Sequence, residues 1–120
     1  MDIKNKDTGR LIIAIKKNSD GIYVLSGADL RLADLYKVDL IGADLSRADL
    51  RRANLIGVNL TGADLRRANL RMADLHGADL RWADLIDVDM RKVNLSGANL
   101  IGAKLIGANM TDADLTGAIK

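Results

Sequence analysis

Ala28-Asp29-Leu30-Arg31-Leu32, Ala33-Asp34-Leu35-Tyr36-Lys37, Val38-Asp39-Leu40-Ile41-Gly42: from residue 28 the chain reads in fives, and it holds that phase without insertion to Gly117. The ninety residues 28–117 therefore form eighteen pentads. With the leucine position called i, its occupants run every fifth residue from Leu30 to Leu115, replaced only at Met90 and Met110. Position i−2 is always Ala or Val, and position i−1 is Asp or Asn except at Lys104. Positions i+1 and i+2 vary freely.

A period of five selects the backbone. Five residues of α-helix turn through about 500°, so leucines five apart make no stripe. On a straight strand i and i−2 share a face, but the next leucine, an odd number of residues on, points to the other face. The conflict disappears if the chain turns once per pentad and keeps every i and i−2 inward. The turn residues agree. Nine of the eleven glycines, from Gly27 to Gly117, fall at i+2, where a tight turn calls for positive φ. Proline is absent, as a coil that donates backbone hydrogen bonds to its neighbours requires.

Working outward from the repeat, composition narrows the class further. There is no Phe and no Cys, with one Trp, two Tyr and one His. The core must be built from Leu, Ala, Ile and Val. A disulfide framework, a thiolate site and a multi-histidine metal site are excluded, and no cofactor is implied. The longest apolar run of the leader, Leu11 to Ile15, is too short for a signal peptide or a membrane span. The expectation is a cytoplasmic protein with no membrane partner. Residues 1–25 carry five Lys/Arg against three Asp, whereas residues 26–120 carry thirteen of each sign. The net charge of +2 thus comes from the leader.

The pattern Ala-(Asp/Asn)-Leu-x-x over residues 28–117 closely resembles the pentapeptide-repeat family. The resemblance implies an all-β fold: a right-handed quadrilateral β-helix (a β-solenoid) with four pentapeptides per coil and about four and a half coils. It implies a bacterial source as well. Residues 1–25 are expected to form an N-terminal cap, with strands near Leu11–Ile15 and Ile22–Leu25 and a hairpin tip at Asn18-Ser19-Asp20-Gly21. Residues 26–120 form the solenoid. The C-terminal end shows no comparable cap, and an open sheet edge invites association.

Twenty residues per coil turn the sequence into a surface map. Arg31, Arg51, Arg71 and Arg91 stack at i+1 of one side, with Arg52 beside them and Arg47 and Arg67 at the neighbouring edge. This is a candidate anion-binding ladder, able in principle to follow phosphates. Asp29, Asp49 and Asp89 on the same side offset it, and no aromatic residue is interleaved, which argues against nucleic acid. Trp82, Ile86, Ile101 and Ile106 occupy outward phases on two adjacent sides, with Gly102 over Trp82. They form a candidate protein interface. His76 stands alone on an outward face, and the repeated carboxylates read as turn residues, so no catalytic set is discernible.

The reading is a non-enzymatic protein-interaction or scaffold module. Its partner is expected to be another protein, with a homodimer through the C-terminal end as one form. Anion or nucleic-acid binding on the arginine ladder is the first alternative. The second is the topoisomerase and gyrase modulation by DNA mimicry that the resemblance brings with it. A neutral repeat region with an arginine ladder, without Phe and without inserted loops, departs from that mimic pattern.

Overall fold

In the computed structural model, which describes all residues from Met1 to Lys120, each pentad is one short extended segment followed by one turn. The segments stack in parallel with an offset of twenty residues: Asp29 bridges Asp49, Asp49 bridges Asn69, Asn69 bridges Asp89 and Asp89 bridges Asn109. Twenty residues per rung is four pentads per turn of the coil. Its four sides are named here by one leucine each: the Leu45, Leu50, Leu55 and Leu60 sides.

The ladder accounts for the composition. The Leu30 N–H donates to the Asp49 carbonyl at 2.7 Å, and the Asp49 N–H donates back to Ala28 at 2.9 Å. Within the pentad the Ala33 N–H closes a β-turn onto Leu30 at 3.1 Å. The i−1 side chain completes the turn, as where the Asn59 Oδ1 accepts the Thr61 N–H at 3.1 Å. Position i+2 has φ near +60° whether or not it is glycine, as at Gly62 (+65°) and Arg67 (+60°). For a residue with a Cβ that conformation costs about 1 kcal/mol.

The interior is a leucine ladder closed by Ala and Val. All 31 buried residues are apolar, so the coil holds no internal polar site and any binding must occur on its outer faces.

Two antiparallel strands cover the N-terminal end. β1 (Asp2–Asn5) pairs with β2 (Leu11–Ala14) on one edge and with β3 (Ala33–Asp34), in the first coil, on the other. β1 is a strand that the sequence reading missed. Ile3 is buried beneath it, and the Lys6 N–H extends the contact to the Leu32 carbonyl at 2.7 Å. The expected tip at Asn18–Gly21 is present as a turn, with Lys17 bridging Tyr23 and the Asn18 Oδ1 accepting from Asp20 and Ile22. The strand that pairs with β2 is β1, however, across the turn at Asn5–Arg10. The parallel ladder begins at Val24, opposite Asp44, and Leu25 already occupies a core position.

Two of the outer i−1 columns compensate their stacked carboxylates in different ways. On the Leu55 side Asp34, Asn54, Asp74, Asn94 and Asp114 alternate, and the Asn54 and Asn94 amides each donate to the carboxylate one coil below at 3.1 Å. On the Leu45 side Asp44, Asp64 and Asp84 stack without alternation, and there Lys104 ends the column 3.8 Å from Asp84. The one break in the Asp/Asn pattern is thus a counter-charge. Asn54→Asp would place three carboxylates in line and remove a donor. It is expected to destabilise the fold by about 1 kcal/mol at neutral pH, a loss that narrows as urea melts are taken down through the carboxylate range.

Candidate functional site

Positions i−1 and i+1 flank the inward leucine and share the outer face, so a sequence Asp-Leu-Arg sets a carboxylate beside a guanidinium. Arg31 clamps Asp29 through Nε at 2.8 Å and Nη2 at 2.6 Å. Arg51 with Asp49, Arg66 with Asp64, Arg81 with Asp79 and Arg91 with Asp89 repeat this two-point pairing. The arginine hydrogen bonds hold all five carboxyls below the usual range, Asp29 at about 2. Since the folded value is the lower one, the stabilisation is present above the ordinary carboxylate pKa of about 4 and fades as pH falls toward 2. A carboxyl-carbon NMR titration should place the Asp29 midpoint near 2, and Arg31→Gln should move it upward.

The ladder is therefore not a row of free cations. Arg31, Arg51 and Arg91 are tied to their own carboxylates, and Arg31 reaches Asp49 as well at 3.9 Å. Arg71 differs because its partner position holds Asn69, which accepts only the Arg71 backbone N–H. Arg47, Arg52 and Arg67 sit at i+2 and make no ion pair.

Six of the seven arginines of the expected ladder fall into two clefts. Arg31, Arg51, Arg52 and Arg71 line a cleft of about 530 Å³ between the Leu50 side and the N-terminal hairpin, which contributes Asn5 and Ile12. Arg47 and Arg67 line a second cleft of about 800 Å³, with Arg66, Asp44 and Asp87. Arg91 lines neither.

Trp82 stands at a corner of the coil, 66% exposed, and Ile106 is 75% exposed. Ile101 is exposed, whereas Ile86 is half-buried and borders the second cleft. The indole leans toward the C-terminal end and occupies the space above Gly102, where a Cβ would overlap its ring carbons. An exposed tryptophan is thereby held in one place by the glycine of the next coil.

His76 and Ser96 meet across adjacent coils, Nδ1 to Oγ at 2.9 Å. The Ser96 hydroxyl donates to the Asn94 Oδ1 at 2.7 Å. In the Nδ1–H tautomer His76 donates to the Ser96 hydroxyl. The dyad is a surface hydrogen-bond chain that ends on Asp74 through the Asn94 amide. No group of three or more His, Cys, Asp or Glu side chains is placed to hold a metal ion, and no helix is long and apolar enough to cross a membrane.

A polar-faced coil with a dry leucine interior, one end covered by a hairpin, defines a β-solenoid repeat protein. Its outer positions are free to vary because folding does not use them. The pentapeptide-repeat pattern matches in eight copies over residues 24–52, 43–81 and 83–119, and the chain belongs to the pentapeptide-repeat family. Among solved structures it is similar to a pentapeptide repeat protein of the cyanobacterium Cyanothece 51142, at 32% identity and TM-score 0.70 over 87% of this chain and 67% of that one. A pentapeptide repeat protein from Nostoc PCC 7120 matches at 49% identity and TM-score 0.54, covering 72% of this chain and 67% of that one. HetL from Nostoc sp. strain PCC 7120, involved in heterocyst differentiation regulation, matches at 45% identity and TM-score 0.52 over 79% of this chain. The chain spans 46% of HetL. QnrB1, a plasmid-mediated fluoroquinolone resistance protein, is similar at 27% identity and TM-score 0.50, covering 79% of this chain and 59% of that one. Among curated proteins none matches at the level of sequence.

Proposed function

We propose that this chain is a non-enzymatic interaction module that docks another protein on the two adjacent sides that carry Trp82 and Ile101, and Ile86 and Ile106. The observation that carries the reading is Trp82 itself, exposed yet seated over Gly102. An aromatic anchor that is already ordered loses little side-chain entropy on binding, which is how interface hot spots are built. The likeness to HetL, a protein named for a regulatory role, supports an interaction function over a catalytic one. Residues 1–25 serve in this reading as the cap and residues 26–120 as the binding rod. The rod is a right-handed coil of about four and a half turns, in a bacterial cytoplasm.

DNA mimicry of the gyrase-modulating kind calls for an acidic surface. A net charge of +2 and the unpaired Arg47, Arg52, Arg67 and Arg71 speak against it.

The test is solution mass by light-scattering chromatography, for the wild type and for Trp82→Ala with Ile106→Asp, at low and at high salt. A dimer that survives salt and dissociates in the double variant would make a second copy the partner. An unchanged dimer in the variant, or a monomer throughout, removes the homotypic form of the reading.

A further inference from the structure

Glycine is the residue of least strain at i+2, and the chain does not use it evenly. The corner after the Leu60 side carries Gly42, Gly62, Trp82 and Gly102, and the one after the Leu55 side carries Lys37, Gly57, Gly77, Gly97 and Gly117. The corner after the Leu50 side carries Leu32, Arg52, Met72, Lys92 and Asp112, with φ from 57° to 61° and no glycine in any coil. Five of the ten non-glycine residues at positive φ lie in this one column. Local strain of this kind concentrates where side chains serve something other than folding.

A second observation falls on the same corner. Leu32, Arg52 and Met72 line the cleft roofed by Asn5 and Ile12, and Arg71 opens into it without an acidic partner. Reading up the column, apolar and basic residues alternate from Leu32 through Arg52 and Met72 to Lys92, and Asp112 ends it. Successive coils are separated by about 4.8 Å, so Arg52 and Lys92 stand about 10 Å apart. Three residues of a polyproline II segment, which returns to the same face at every third residue, cover about 9 Å.

We propose that this glycine-free corner binds an acidic peptide segment in the polyproline II conformation, of the form Glu-x-x-Glu with apolar residues between the carboxylates. The carboxylates meet Arg52 and Lys92, Arg71 adds a donor beside the first, and the apolar side chains lie on Leu32, Met72 and Ile12. A nucleic acid fits less well. Its backbone is charged at every step, whereas Asp29, held by Arg31, lines the cleft, and the column offers no ring for a base to stack on. The site lies on a different part of the rod from Trp82 and does not depend on the interface proposed there.

The strain makes the proposal separable from a structural role. Arg52→Gly with Met72→Gly relieves two left-handed positions, so the unfolding midpoint should rise by about 4 °C. Binding of a fluorescein-labelled Leu-Glu-Val-Leu-Glu-Leu peptide, followed by anisotropy, should at the same time weaken at least about tenfold. The version with Gln for Glu should not bind the wild type, and Trp82→Ala with Ile106→Asp should bind the acidic peptide normally. Equal binding by the glycine variant overturns the proposal, as does the absence of any difference between the Glu and Gln peptides. Tighter binding of an oligothymidylate than of the peptide overturns it too, and would make the corner a nucleic-acid site.

Discussion

Leu70→Ala is expected to lower the stability of the fold by about 3–4 kcal/mol, measured as the shift of a urea unfolding curve. Leu70 is fully buried between Leu50 below and Met90 above, within a column that has no exposed member from Leu30 to Met90. Deleting its branched end leaves a void that the coil cannot close. The backbone on both sides is pinned by the ladder, with the Leu70 N–H on the Asp89 carbonyl at 2.8 Å and the Asn69 N–H on Ala48 at 2.9 Å. The same change at Leu115, which is only half-buried in the last coil, should cost about 1 kcal/mol. The difference tests the solenoid account. Each coil is stabilised by its two neighbours, so the cost of a truncation depends on its height in the rod and not on its place around the coil. Leu55→Ala and Leu65→Ala, on two other sides at mid-height, should therefore match Leu70→Ala within about 1 kcal/mol.

That the core was legible before any coordinates has a simple cause. Both inward positions of a pentad, i−2 and i, are set by the same five residues, so one pentad read correctly gives them all. The outer surface is legible only in part. The pairing of Arg31 with Asp29 could have been taken directly from the Asp-Leu-Arg triplet, because i−1 and i+1 share a face. The same reasoning would have released Arg71, whose triplet begins with Asn69. It would also have explained Lys104 as the counter-charge over Asp84. Counting glycines by column, rather than by phase alone, would have exposed the Leu32–Asp112 corner. β1 is another matter. Asp2-Ile3-Lys4-Asn5 is a short segment with one apolar residue, and its partners in the first coil, Ala33 and Asp34, lie about thirty residues away. That pairing carries no local signal, whereas the hairpin with β2 does, in the Asn5-Lys6-Asp7-Thr8-Gly9 turn.

The chain holds no proline, and the reason given for this, that every coil donates hydrogen bonds to its neighbour, applies to only some of the positions. Asn59→Pro and Thr61→Pro separate the two cases. The Asn59 N–H is a ladder donor, 3.0 Å from the Val38 carbonyl of the coil below. Proline there removes that bond, leaves the Val38 carbonyl without its partner and deletes the side-chain oxygen that accepts from the Thr61 N–H and hydroxyl. A loss of about 3 kcal/mol or more is expected. Thr61 is two residues on, yet its N–H meets only the Asn59 side chain at 3.1 Å. It precedes Gly62, whose φ is +65°, and the turn is closed by the Ala63 N–H on Leu60 at 3.0 Å. Proline followed by glycine is the favoured central pair of such a turn, and the Thr61 carbonyl, which accepts from Gly42 at 2.9 Å, is retained. Thr61→Pro gives up two part-buried bonds to the Asn59 Oδ1, from the Thr61 N–H at 3.1 Å and its hydroxyl at 2.7 Å, but narrows the unfolded ensemble by about 0.4–1 kcal/mol, so the net loss should stay within about 1 kcal/mol. Comparable losses for the two variants in a urea melt would mean that the i+1 amide contributes to the ladder. The division of the pentad into a donor segment and a free turn would then be wrong.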